Sequence, residues 1–272
     1  MSIITISRGT MSGGAKIAEM LAEKLGYRCI SREIIVNASD DYGVPEARLY
    51  DSIQKGPSIF QKFTCEREKY LAFIQASLCE YAKDDNIVYH GHAGHLLLKG
   101  IGHVLRVRIS AALEYRIKAT RESLGFSEKK AKKYIKSIDK QRAKWTKFLY
   151  GMDWRSSELY DLVLNLDSGN HELACEIIKF TVNQPQFQIT EESRQAMHNL
   201  LISSRVKAAI AREMDPCLDR VTIKADKDNV IIAGRVPTKE LIDSIIDIVE
   251  KVPGISNIDS RLEIDYRGYG IE

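Results

Sequence analysis

The sequence predicts an α/β protein whose main part is a parallel β-sheet covered by helices on both faces. Short β-branched runs alternate with segments of helical periodicity over residues 1–182, which is the pattern of parallel β-α-β units. The first run, Ile3–Ile6, leads into a glycine-containing turn and then a helical pattern. Beyond Asn183 the spacing changes to a smaller α-β-β-α-β pattern. These observations predict one sheet-based domain and a second, smaller domain.

The stretch Ile3–Gly26 indicates where a ligand binds. Its strand is followed by Arg8–Gly14, which is rich in small residues, and then by apolar residues at helical spacing that end at Gly26. Free N–H groups in such a turn and at the start of the helix can hold a polyphosphate. The stretch therefore predicts a phosphate-binding loop. A tight strand–helix turn that binds no ligand is the alternative.

This loop departs from the usual P-loop pattern. Gly9 and Gly14 have the glycine spacing of G-x-x-x-x-G-K-[ST], but Ala15 follows them and Lys16 comes one residue late. One residue turns a helix by about 100°, so Lys16 need not reach the same phosphates. A position on a solvated helix face is the alternative for this lysine.

The remaining elements of the first domain follow in order. β-branched and aromatic runs predict strands at Tyr27–Ile30, Ile87–His90, His103–Ile109 and Asp161–Leu166. Helical spacing predicts helices that begin at Ser31-Arg32-Glu33, with Ser31 as the cap, at Glu66, at Ala111, after Ser127 and at Glu172. The segment Asp40–Phe63 carries two glycines and two prolines and is predicted to be irregular. Since ligands bind at the carboxyl ends of parallel strands, Ser7–Gly14 and Gly91–Gly94 are expected to converge there.

The second domain begins after a polar linker. Residues 184–194 are predicted to join a domain at 1–183 to one at 195–267, because Gln184–Glu192 is polar and contains a proline. The expected order of the second domain is a helix at Arg194–Met214, strands at Arg220–Ala225 and Val230–Val236, a helix from Pro237 to about Val252 and a strand at Ile255–Ile264. The linker lacks enough apolar residues to join two cores, so the domains are expected to fold separately.

Composition restricts the class of protein. Of 272 residues, 44% are hydrophobic and 28% are charged, and the net charge is +3. Such a chain is typical of a globular protein, and the charge is too small to indicate nucleic-acid binding. The five cysteines are scattered without a C-x-x-C pair, which favours free thiols. No apolar run is long enough to span a bilayer and Met1 leads directly into the first strand, so a cytoplasmic protein is expected.

Two families resemble this chain. Residues 1 to about 182 are similar to the cytidylate kinase-like family of P-loop nucleotide kinases. The resemblance is carried, in order, by ITISR, SGG, IAEMLAEKLG, SREII, GHAGHLL, LRVRISAALEYRI, the D-x-x-R of Asp139 and Arg142, DW and YDLVLN. Residues from about 195 to 266 resemble a BON domain, with GRVP at Gly234–Pro237 and VPGISNI at Val252–Ile258. The resemblance implies a P-loop kinase sheet followed by a BON-like domain.

The kinase resemblance implies ATP and Mg²⁺ as cofactors and gives particular residues a role in phosphoryl transfer. The donor phosphates are expected at Arg8, Thr10, Ser12, Gly13, Gly14 and Lys16, with Ser12 or Thr10 reaching Mg²⁺. The expected catalytic residues are Arg116, Arg121 and Arg142, with Asp139 orienting Arg142 or a lid arginine. The acceptor is expected at Arg32 and His92.

The chain departs from the family pattern near the acceptor. Ser31 stands where the family usually has the first aspartate of D-R-E, and His92 stands at the arginine of G-R-G. Other interpretations of the charged residues also stay open. Arg116 and Arg121 can instead pair with glutamates on a helix surface. The histidines are scattered by strand-to-turn geometry, and no metal site is expected among them.

Three functions follow from these observations. The first is an ATP-dependent kinase of a nucleoside monophosphate, of the cytidylate kind, or of a similar small phosphate acceptor. In it the BON-like domain serves regulation or assembly, through a homo-oligomer or a protein partner. The second is a nucleotide-binding regulatory protein that has lost catalysis. The third is a scaffolding protein that acts through the BON-like domain.

Overall fold

A five-stranded parallel sheet forms the larger part of the molecule, in a computed structural model that describes residues 2–54, 66–91, 93–166, 170–214 and 220–265. Its strands are β1 (Ile3–Arg8), β2 (Arg28–Ile30), β3 (Ile87–Tyr89), β4 (Val104–Ser110) and β5 (Leu162–Asn165). The helices of this part are α1 (Gly14–Leu25), α2 (Glu33–Tyr42), α3 (Glu46–Gln54), α4 (Glu66–Ala82), α5 (Gly94–Leu97), α6 (Leu113–Leu124), α7 (Glu128–Tyr150) and α8 (His171–Val182).

The strand order β2-β3-β1-β4-β5 places β1 in the centre of the sheet. Alternate residues of β1 point to opposite faces. Ile3 joins a core with α2 and α4, whereas Ile4 and Ile6 join a second core with α1 and α8. Helices therefore cover both faces, which confirms the predicted fold class. Because β1 pairs in parallel with both β3 and β4, the loops that follow these three strands meet at one edge.

Two local predictions are wrong. Most of Asp40–Gln54 is helical, since α2 continues to Tyr42 and α3 begins two residues after Val44. Gly43 ends α2 with a φ of 63°, and Pro45 accepts the first helical hydrogen bonds of α3 through its carbonyl. The helix after β2 is also not capped by Ser31. Its N-cap is Arg32, and the Ser31 N–H donates to the Glu33 carboxylate. The rest of the segment predicted to be irregular, residues 55–63, lies outside the described residues.

The smaller part has its own mixed sheet. It consists of α9 (Glu191–Glu213), β6 (Val221–Asp226), β7 (Asn229–Val236), α10 (Lys239–Glu250) and β8 (Asn257–Ile264). β6 pairs antiparallel with β7, and β7 pairs in parallel with β8. A capping box formed by Thr190 and Ser193 begins α9. This is the predicted α-β-β-α-β order.

Helix α9 belongs to both parts of the molecule. Met197 and Leu201 pack into the core that contains α4, whereas Ile202 and Val206 pack under the small sheet. Phe187, from the expected linker, is buried with α8 in the core of the larger part alone. Contact between the two cores therefore runs through α9, and separate folding of the two parts stays a prediction. The domain boundaries themselves stay a prediction. No described helix is both long enough and apolar enough to cross a bilayer.

Candidate active site

The loop after β1 is shaped by a glycine at the start of α1. Gly13 is the N-cap of α1, has a φ of 84° and has no side-chain cap. A Cβ at this position would lie 2.6 Å from Nε2 of His171, so only glycine fits. The Ser12 hydroxyl donates to the carbonyl of Ile109 and holds the loop against β4. The N–H groups of the first turn of α1, from Gly14 onward, have no acceptor within the helix and can bind an anion.

A carboxylate from α7 reaches into this loop. Oδ1 of Asp139 accepts from the hydroxyl of Thr10 at 2.8 Å and from its N–H at 3.2 Å. The other oxygen pairs with Nη2 of Arg116 at 2.5 Å, and Nε of Arg116 donates to the Thr10 carbonyl at 2.7 Å. Asp139 thus contacts Arg116, whereas it was expected to orient Arg142 or an arginine of the lid. The alternative in which Arg116 pairs with a surface glutamate was wrong.

Two guanidinium groups beside the loop form no salt bridge with any residue that the structure describes. Nη1 of Arg142 donates to the Arg8 carbonyl at 2.8 Å, while its buried Nε has no partner among the described residues. No described carboxylate forms a salt bridge with Arg8 or Arg142. Burial, and then the charge of Arg8, lower the pKa of Arg142 to about 10. Burial also lowers the pKa of Arg8. Such uncompensated charge is costly unless an anion joins it.

Arg8 and Arg142 line a cavity of about 200 Å³ at the carboxyl edge of the sheet. Tyr50 and Trp154 contribute aromatic walls, and the segment after β3 closes one side. The predicted convergence of the loops after β1 and β3 is therefore correct. No aspartate or glutamate occurs among the described residues that line this cavity.

Two histidines in the cavity wall are kept uncharged by their surroundings. Burial, followed by the positive charge of Arg8, lowers the pKa of His90 to about 4. Burial, followed by the charges of Arg106 and Arg108, lowers the pKa of His95 to about 4. Both rings are therefore neutral near pH 7. They can form hydrogen bonds without adding positive charge to the site.

The other predicted site residues lie further out. Lys16 is on the exposed side of α1, and Arg121 is exposed near the end of α6. Arg32 lines the mouth of the cavity but is exposed and paired with Glu46 at 2.7 Å. His92 lies outside the described residues. The structure therefore brings Arg8, Thr10, Ser12, Gly13, Gly14, Arg116, Asp139 and Arg142 together, but not Lys16 or Arg121.

Several residues of the site were missed by the sequence analysis. His171 and Tyr115 approach Gly13 from α8 and α6, and Tyr50 reaches the cavity from α3, which was predicted to be irregular. Helical spacing around Leu49 was the available signal for α3, whereas no pattern places His171 beside a loop so distant in sequence.

Comparison with known proteins identifies the larger part. Residues 3–168 match the model of the cytidylate kinase-like family. The chain belongs to this family. A cytidylate kinase of Ignicoccus hospitalis is 29% identical over 182 residues, which cover 66% of this chain and 98% of that protein. A cytidylate kinase of Methanosarcina acetivorans is 24% identical over 184 residues and is covered to 96%.

The smaller part and the fold give two further matches. Residues 199–266 match the BON domain model, so the BON-like module predicted from the sequence is confirmed. Among solved structures, an uncharacterised protein from Eubacterium ventriosum aligns with a TM-score of 0.51 and 19% identity. The alignment covers 68% of this chain and 99% of that protein, and at this identity it supports the fold alone.

Proposed function

We propose that this cytidylate kinase-like chain transfers a phosphoryl group from ATP to a nucleoside monophosphate, of the cytidylate kind, or to a similarly small phosphate-bearing acceptor. The observation that carries the proposal is the pair Arg8 and Arg142, two guanidinium groups beside the glycine loop without a described carboxylate partner. Two unpaired cations in a cavity favour a ligand with more than one negative charge. A phosphate supplies that charge.

The donor phosphates bind at the start of α1 in this proposal. The N–H groups of the first turn of α1 face the β- and γ-phosphates. The conformation of Gly13, which has no side-chain cap, leaves these N–H groups open. Mg²⁺ would be held by the hydroxyl of Thr10 and the carboxylate of Asp139, hard oxygen atoms of the kind that it prefers, and it would replace the hydrogen bond that now joins them. When bound, this ion neutralises phosphate charge. Lys16 is a solvated residue, because it lies on the exposed side of α1.

The acceptor attacks from the cavity. A phosphate oxygen of the acceptor forms a bond to the γ-phosphorus while the bond to the bridging oxygen of ADP breaks. Such an oxygen carries no proton near pH 7, so the attack needs no general base. The absence of a carboxylate from the described cavity wall fits this chemistry better than it fits a hydroxyl acceptor. Arg142 stabilises the charge on the transferred group, and Arg116 fixes the loop through Thr10.

One observation favours a second candidate, a nucleotide-binding regulatory protein without turnover. Asp139 accepts hydrogen bonds from the N–H and the hydroxyl of Thr10 and pairs with Arg116, so these groups of the loop are already occupied and are not free to bind phosphate or Mg²⁺. The roles of Arg121, Arg32 and His92 also stay proposals. The BON-like module serves regulation or assembly in either case, through another copy of the chain or a protein partner.

Incubation with Mg-ATP and a panel of nucleoside monophosphates, followed by measurement of ADP, separates the two candidates. Binding of ATP is tested by calorimetry on Gly13→Ala, which adds a Cβ 2.6 Å from His171. Gly100→Ala is the matched control, because Gly100 has a φ of 90° but nothing within 4 Å of an added Cβ. ATP binding is expected to be lost in Gly13→Ala and retained in Gly100→Ala. Equal ATP affinity in both variants would reject the loop as the site.

A further inference from the structure

Helix α7 concentrates positive charge that the chain as a whole does not have. Its 23 residues include eight lysines and one arginine but only two carboxylates, Glu128 and Asp139. The net charge of the whole chain is +3, so the residues outside α7 are negative on balance. The overall charge, which by itself indicated no polyanionic partner, therefore averages over a strongly basic helix and an acidic remainder.

Six of the lysines form a continuous row along the exposed side of α7. They recur at intervals of three or four residues, which places them on one face of a helix. This lysine row consists of six exposed residues, Lys129, Lys133, Lys136, Lys140, Lys144 and Lys147. At a rise of about 1.5 Å per residue, the row is about 27 Å long.

Nothing in the described part of the chain neutralises the lysine row. None of its six lysines forms a salt bridge with a described residue. Neighbours in the row are like charges three or four residues apart, an arrangement that destabilises a helix. A helix face that is only solvated more often alternates charges of both signs. A ligand with a line of negative charges would relieve the repulsion within the row.

The opposite side of α7 is already covered by the protein. Ala131, Ile135 and Trp145 are at most 1% exposed, and Arg142, on the same side, donates to the Arg8 carbonyl. The helix therefore has no free apolar face with which to enter a membrane surface. The row itself contains lysines only, so it offers contacts to phosphate and no aromatic ring on which unpaired bases stack.

We propose that the lysine row binds the phosphate backbone of a nucleic-acid duplex, without regard to base sequence. A duplex carries one negative charge per about 1.7 Å of its axis, so about 27 Å of duplex presents about 16 phosphates to the row. Each lysine is a point charge on a flexible stem and can adjust to a nearby phosphate. Contacts to phosphates alone carry no sequence information. The inference does not depend on the proposed kinase activity, because the row and the glycine loop lie on different sides of α7.

Fluorescence anisotropy of the full-length chain with a labelled DNA duplex of about 20 base pairs, at several salt concentrations, tests this inference. Six phosphate contacts predict a slope of about −5 for the logarithm of the association constant against the logarithm of the salt concentration. The triple variant Lys133→Gln, Lys136→Gln and Lys140→Gln should reduce the magnitude of this slope by about 3. It should also weaken binding at least about tenfold at about 0.1 M salt.

A matched triple variant is the control for the loss of charge alone. Lys99→Gln, Lys224→Gln and Lys239→Gln remove the same charge from exposed positions outside α7. This variant should change the affinity for the duplex by less than about threefold. Equal loss of affinity in the two triple variants would show that net charge, and not the row, attracts the duplex, and would overturn the proposal.

Two further outcomes decide without any variant. A slope weaker than about −2 for the unchanged chain would overturn the proposal, because it would leave no room for six phosphate contacts. Vesicles of phosphatidylcholine with about 30% phosphatidylserine test the other large polyanion. Binding to these vesicles without binding to the duplex would overturn the proposal and assign the row to a membrane surface. Binding of the duplex by a chain that forms no ADP from Mg-ATP would leave this inference standing and would reject the proposed kinase activity.

Discussion

The arginines near the two sheets of this molecule differ in burial and in whether a carboxylate pairs with them. At the carboxyl edge of the parallel sheet, Arg8 and Arg142 are partly buried and form no salt bridge with a described carboxylate. On the small mixed sheet, Arg261 pairs with Asp259 at 2.6 Å and Arg235 pairs with Glu263 at 3.5 Å, all at the surface. Exposed pairs of this kind contribute little to the stability of the fold. A cation that is withdrawn from water without a counter-ion lowers that stability. We therefore expect ligand binding at the first sheet.

Removal of the small sheet should have the largest effect, and it depends on where the chain is cut. From the sequence, a cut near Gln186 was expected to leave a folded kinase part. The structure changes this expectation, because such a cut removes Met197 and Leu201 of α9 from the core of α4. We expect the free energy of unfolding to fall by on the order of 5 kcal/mol or more.

A second truncation provides the control for this prediction. A chain that ends at Met214 keeps α9 and should retain both folding and ATP binding, measured by urea denaturation and calorimetry. Equal stability of the two truncated chains would show that α9 contributes nothing to the larger part. Loss of ATP binding from a folded chain that ends at Met214 would show that the BON module completes the nucleotide site.

Replacement of one arginine from each part of the molecule, Arg142 of α7 and Arg261 of β8, tests the contrast in charge directly. Arg142→Ala should lower turnover about 10²- to 10³-fold, because it removes a donor that acts on charge developed in the transition state. The KM for ATP should change much less. Arg261→Ala removes a surface arginine and should leave turnover unchanged. Comparable rates in the two variants would mean that the buried position of Arg142 has no catalytic significance.

The sequence predicted the strands and the turn that build the site well. It predicted poorly the long-range contacts that hold the site together. The positions of the strands along the chain and the glycine-containing turn before α1 follow from local patterns, because β-branched runs and turns act within a few residues. The contact of Thr10 with Asp139 joins positions 129 residues apart. Nothing in either local pattern specifies it, since tertiary packing of α7 decides which face of that helix meets the loop.

The buried histidines of the cavity should make the chain less stable in mild acid. The folded-state pKa values of His90 and His95 are about 4, below the ordinary value of about 6.5. Between these values the unfolded chain binds protons that the folded chain does not. The stability contributed by the neutral rings is therefore lost as the pH falls below about 6.5, by on the order of 1–2 kcal/mol per histidine at pH 5.

Denaturation curves at pH 7.5 and pH 5 measure this loss. His95→Phe keeps the ring buried without a titrating group, so it should remove about half of the difference between the two curves. His198→Ala is the control, because 42% of that side chain is exposed. The same pH dependence in His95→Phe and in the unchanged chain would show that the cavity histidines do not cause the acid sensitivity.

The smallest effect is expected at Arg121. This residue tests whether an arginine contributes to turnover because it lies in the larger part or only when its side chain is withdrawn from solvent. It was expected to be catalytic, yet it lies near the end of α6 with an exposed side chain, as Arg261 does on the small sheet. Surface substitutions away from special contacts usually change stability by less than about 0.5 kcal/mol. Arg121→Ala should accordingly keep turnover within about threefold of the unchanged chain, whereas Arg116→Ala frees Asp139 and should cost more. Steady-state rates at saturating Mg-ATP measure both variants. A fall in Arg121→Ala as large as that in Arg142→Ala would show that α6 and α7 close on the nucleotide and carry this arginine to the phosphates.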